Sequence, residues 1–129
     1  MNVESLREYC LSKKGVTESF PFDETTLVFK VGGKMFALTA LDKPELSVNL
    51  KCNPEWAVEL REQYENITPG YHMNKKHWNT VLVKSTFSDE LTKKLIDHSY
   101  ALVVKSLPKK IKIELKLNYK RDYALLNQI

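Results

Sequence analysis

The apolar positions of this 129-residue chain change period several times, and each change marks an element. Val3, Leu6 and Cys10 share one helical stripe behind Asn2, a good N-cap, which predicts a helix over residues 2–12; Gly15 supplies its stop. Residues 26–31 and 34–41 are β-rich runs separated by Gly32-Gly33. A glycine pair in that place predicts a two-residue hairpin, because the favoured turns need positive φ. Met35, Phe36, Ala37 and Leu38 are apolar on both alternating sets, the mark of a central strand covered on both faces. Leu46, Val48 and Leu50 alternate with Ser47, Asn49 and Lys51, a half-buried strand with one wet face. Asn53-Pro54 opens a second helix whose inward side carries Trp56, Leu60 and Tyr64. Thr68-Pro69-Gly70 reads as a turn and residues 78–84 as a strand. Ser88 caps a longer helix over residues 89–106, striped by Leu91, Leu95, Leu102 and Val103 and ended by Pro108.

The tail is the ambiguous part. Ile111, Ile113, Leu115, Leu117 and Tyr119 alternate strictly with polar residues and favour a strand, while Tyr119, Tyr123 and Leu126 also fit a helix. A bare alternating strand is an aggregation hazard, so it is expected to pair with the body or with another subunit. The order of elements implies an α+β fold: an antiparallel sheet meander with helices packed on one face.

Composition narrows the class. Hydrophobic residues make up 43% and charged residues 28%, the mix of one ordinary globular domain. No stretch approaches the roughly 20 apolar residues of a membrane helix, and the N-terminus has no basic-then-apolar leader. The two cysteines, Cys10 and Cys52, form no CxxC pair and suggest reduced thiols in the cytoplasm. The net charge of +4 is unevenly placed. From Lys105 onward seven Lys/Arg meet two acids, and an acid-free window over residues 66–88 contains Lys75, Lys76 and Lys84. Local charge of this kind is what a polyanion would meet; it also serves simply as a solubilising surface.

The most unusual stretch is Gly70-Tyr71-His72-Met73-Asn74-Lys75-Lys76-His77-Trp78-Asn79. It places cations suited to phosphates beside flat rings and amides suited to bases or sugars. The same residues can equally form a plain turn, with Trp78 in the core and the lysines solvated.

With Pro69 in front, that stretch resembles the signature of the MmcQ/YjbR family of small bacterial proteins. Leu6-Arg7-Glu8-Tyr9-Cys10, Gly15-Val16-Thr17-Glu18, Phe20-Pro21-Phe22, Lys30-Val31-Gly32-Gly33-Lys34-Met35-Phe36-Ala37, Asn49-Leu50-Lys51-Cys52 and Asp97-His98-Ser99-Tyr100 follow the same family in the same order. The resemblance covers residues 1–110 as one domain and leaves 111–129 as a basic C-terminal extension. It implies a fold similar to the frataxin/CyaY type and a double-wing DNA-binding module. It carries over no catalytic residue and no iron site, for which the first helix offers only Glu4 and Glu8.

Other chemistry is thinly supported. His72 and His77 are five apart, which is wrong for a shared helical face. His98 lies on the stripe of Leu91, Leu95 and Leu102, the place of a satisfied, partly buried histidine. Cys52 beside Lys51 is expected to be an ordinary thiol. GxGxxG and P-loop spacings are absent, and no nucleophile–base pair is legible, so neither enzymatic activity nor a cofactor or metal is expected.

The leading expectation is therefore DNA binding. Lys34, Lys51, Lys75 and Lys76 would contact phosphates, Asn74, His77 and Asn79 would read polar edges, and Tyr71 would stack. The alternatives are a protein-interaction or chaperone-like module, using 111–129 as a partner or dimer contact, and a domain binding small anions.

Overall fold

In the computed structural model, residues 1–71 and 73–117 are described. The elements are α1 (Val3–Leu11), β1 (Val16–Ser19), β2 (Thr26–Val31), β3 (Lys34–Ala40), β4 (Ser47–Lys51), α2 (Pro54–Gln63), β5 (Ile67–Pro69), β6 (Trp78–Leu82), α3 (Asp89–Ser106) and α4 (Lys109–Glu114). The strands form one sheet in the order β1-β2-β3-β4-β6-β5, every neighbouring pair antiparallel. The fold is α+β, as the sequence order implies.

The caps lie where the sequence places them. Asn2 and Ser5 form a reciprocal capping box at α1, Asn53 accepts from Glu55 and Trp56 at α2, and Ser88 accepts from Leu91 at α3. The buried apolar residues of the helices join one core with Phe29, Val31, Phe36, Val48, Leu50 and Val81 of the sheet. The opposite sheet face carries a second, small cluster of Val28, Leu38 and Trp78, with Met35 and Met73 packed on it and no residue from a helix. The helices therefore share one face, and β3 is covered on both.

A β-bulge organises the middle of the sheet. Phe29 pairs with Ala37 and Lys30 with Met35, which leaves Phe36 as the extra residue. Phe36 and Ala37 consequently both enter the main core instead of alternating. The bulge also ends the β3–β4 ladder early, after Ala37↔Leu50.

Two readings of the sequence need correction, and one strand lies where the sequence offered no reading. Residues 16–19 and 67–69 are strands, short ones at the two edges of the sheet. Residues 109–114 are helical and not a strand. Leu107, Ile111 and Leu115 recur every four residues and pack on the core, whereas Ile113, which only the alternation required, is 66% exposed. Leu107 and Ile111 close over Gly32, where an added Cβ would meet Leu107 at 2.7 Å and Ile111 at 3.0 Å. Tyr119, Tyr123, Leu126 and the rest of the tail beyond Leu117 lie outside the described residues.

Candidate functional site

The Gly32–Gly33 hairpin, the end of β4 and the loop 70–77 all lie at one end of the sheet, since Lys51 pairs with Trp78 across β4 and β6. At the β4–α2 junction three consecutive backbone N–H groups are held alternately by α3 and by the loop 70–77. Lys51 N–H donates to Ser99 Oγ (2.9 Å), Cys52 N–H to the His77 carbonyl (2.8 Å), and Asn53 N–H to His98 Nε2 (3.1 Å). Ser99 in turn donates to the Phe36 carbonyl at 2.5 Å, bridging the two strands where the bulge has broken their ladder.

The loop itself is tightly built. Gly70 N–H donates to the Trp78 carbonyl at 2.8 Å. Gly70 is required there, because a Cβ would lie 2.8 Å from that of Trp78. Asn74 Oδ1 accepts the Lys76 N–H at 3.0 Å, and the Asn74 carbonyl accepts from His77 and Trp78 at 3.2 and 2.9 Å. From α2, Arg61 donates Nε to Asn79 Oδ1 (2.8 Å) and Nη2 to the Lys75 carbonyl (2.9 Å). The guanidinium fixes the loop backbone and adds a charge beneath it.

The expected site residues separate into two groups. Lys75, Lys76, Asn74 and Tyr71 are exposed on the loop, and His77 is half-buried. Lys51 shares the face of Trp78, against which it is paired. None of Lys34, Lys51, Lys75 and Lys76 forms a salt bridge among the described residues. Lys34 departs from the group: it pairs with Val31, a main-core residue, and so leaves the sheet on the helix side, away from Lys51. Asn79 is not a surface reader. It is 2% exposed, and its amide is spent on Arg61 and on the Ala57 carbonyl (3.5 Å). His72 lies outside the described residues. Arg61 was not anticipated; the signal was a charge on the inward stripe of α2, one turn after the buried Ala57.

The run Asp97-His98-Ser99-Tyr100 is a set of internal clamps. Asp97 accepts from Tyr9 Oη at 2.6 Å and pairs with Lys13. Tyr100 donates to the Lys14 carbonyl at 2.6 Å and meets the Phe36 ring edge-on. His98 is 2% exposed and T-stacked on Trp56, and burial lowers its pKa to about 4. A void of about 10 Å³, room for a single water, adjoins His98, Cys52 and Asn79. Both thiols are buried, and burial pushes Cys10 and Cys52 up to about 12, which makes them poor nucleophiles. Among the described residues no three His, Cys, Asp or Glu side chains converge as a metal site would require, and no helix is long and apolar enough to cross a membrane.

A family model described as YjbR matches residues 11–102, which include the loop, the β4–α2 junction and the Asp97–Tyr100 clamps. The chain belongs to the YjbR family. The uncharacterised protein YjbR of Escherichia coli K12 is 34% identical over 108 residues, covering 84% of this chain and 92% of the relative. YbdF of Escherichia coli O157:H7, also uncharacterised, is 37% identical over 107 residues, covering 83% and 88%. Among solved structures, a Deinococcus radiodurans protein of the DUF419 domain type superposes with a TM-score of 0.86 at 43% identity, covering 92% of this chain and 90% of that one. A Pseudomonas syringae protein follows at 0.69 and 29% identity, covering 80% and 99%. The YjbR match ends inside α3, so α4 lies beyond the family model.

Proposed function

We propose that this YjbR-family protein binds nucleic acid at the end of the sheet formed by the loop 70–77 and Lys51. One observation carries the reading: Lys75 and Lys76 are exposed and free of salt bridges among the described residues, on a loop whose backbone Arg61 already fixes. The loop's described residues are held in advance by hydrogen bonds, so less of the attraction to phosphate is offset by ordering on binding. Asn74 serves the turn, Lys34 stands apart, and Asn79 plays an internal part. Residues 109–114, which include the start of the segment expected to add a strand to a partner, are helical, and 118–129 lie outside the described residues.

The test is an oligonucleotide titration at low and moderate salt. Replacing Lys75 and Lys76 together with Ala should weaken binding about tenfold. It should also flatten the log K against log salt slope by about 1.5, the contribution of two phosphate contacts. No binding by the unaltered protein at low salt, or an unaltered slope in the double variant, would remove the proposal.

A further inference from the structure

We infer that the nucleic acid received at this end of the sheet is single-stranded, with a base stacked on Tyr71 and neighbouring phosphates on Lys75 and Lys76. The inference rests on the nucleic-acid reading above and narrows it. Tyr71 is 71% exposed, the most exposed large hydrophobic side chain among the described residues. Its backbone is not loose: Tyr71 N–H donates to Thr80 Oγ1 at 3.1 Å, and Gly70 before it is bonded to Trp78. Thr80 Oγ1 in turn donates to Asn49 Oδ1 at 2.5 Å, so the mount of the ring reaches into β4 and β6. A flat ring on a fixed mount keeps its stacking free energy, because little backbone order remains to be imposed. Tyr71 and Lys75 are four residues apart in a closed loop, a separation of at most ~14 Å. One strand of a few nucleotides can therefore reach ring and cations together.

One feature acts against a duplex. Stacking on the exposed Tyr71 ring needs the face of an unpaired base, and in a duplex each base face is already covered by its neighbours in the stack. A duplex can therefore use Lys75 and Lys76 but not Tyr71.

The experiment compares a 5′-fluorescent single strand of about 12 nucleotides with a hairpin duplex of matched length, by anisotropy at low salt. The single strand should bind at least about tenfold more tightly. Tyr71→Ala should reduce single-strand affinity about tenfold and leave duplex affinity nearly unchanged, while Tyr71→Phe, which keeps the ring, should retain it. Duplex binding as tight as single-strand binding, or a Tyr71→Ala variant with undiminished single-strand affinity, overturns the inference and leaves nucleic-acid binding standing. Binding of neither probe removes both.

Discussion

At the scale of single residues, the chemistry of this protein is mostly turned inward. His98 has the side chain most suggestive of catalysis, yet its Nε2 is occupied as the acceptor of Asn53 N–H and its ring is walled in by Trp56. Nδ1 then carries the proton, buried and without a hydrogen-bond partner among the described residues. Protonation of Nε2 would break the bond to Asn53 and leave a charge in the core, so burial lowers the pKa from 6.5 to about 4. The consequence for stability has a definite sign. Between pH 6.5 and 4 the unfolded chain takes up a proton that the folded chain refuses. Stability from this group is complete above pH 6.5 and declines as the pH falls, by about 3 kcal/mol at most. His98→Gln keeps an acceptor for Asn53 and cannot titrate. Urea denaturation at pH 7.5 and pH 5 should show a markedly smaller loss for that variant than for the natural protein. Equal losses would mean that His98 is not the titrating group.

At the scale of elements, α4 and the hairpin beneath it show how two readings of one pattern are decided. Residues 111, 113, 115 and 117 alternate, but the subset 107, 111, 115 is also helical, and the core selects it because the packing space lies over Gly32. Gly32 has φ +59° and no room for a Cβ, whereas Gly33 has φ +80° and open space around it. Gly32→Ala should therefore cost about 3 kcal/mol, from left-handed backbone strain and overpacking together. Gly33→Ala should cost about 1 kcal/mol, from the backbone alone. Guanidinium melts of the two variants check this, and equal losses would show that α4 does not press on the hairpin. The same contrast explains what was legible. The hairpin, the three capped helices and the alternating β4 carry their own periodicity or punctuation, so local sequence suffices for them. β1 and β5 are too short to show a period; they exist because an edge of a longer strand was available. At the candidate site, Tyr71, Lys75 and Lys76 are readable as loop residues. The burial of Asn79 and the divergence of Lys34 follow from strand register and the bulge, which only the assembled sheet determines.

At the scale of the whole molecule, α3 is the hub on which the proposed binding surface depends. Its successive residues reach α1 through Tyr9, the start of α2 through Asn53, β3 and β4 through Ser99, and the α1–β1 turn through the Lys14 carbonyl. The β4–α2 junction is pinned to that hub on either side of Cys52, and Cys52 alone is bonded to the loop, through His77. The preorganisation argued for Lys75, Lys76 and Tyr71 therefore has a reporter. If the loop belongs to the same cooperative unit as the hub, the amides of Lys51, Cys52 and Asn53 should all exchange with solvent by global unfolding. Their exchange free energies should then fall together, with the full denaturant dependence of the protein. If the loop opens by itself, the Cys52 amide should exchange faster than its two neighbours and be insensitive to low denaturant. Native-state hydrogen exchange followed by NMR separates these outcomes at single-residue resolution. The second outcome would remove the premise that the loop meets nucleic acid already ordered. Affinity would then have to overcome the ordering cost of about eight residues at ~1–2 kcal/mol each, more than two exposed lysines and one stacked ring supply.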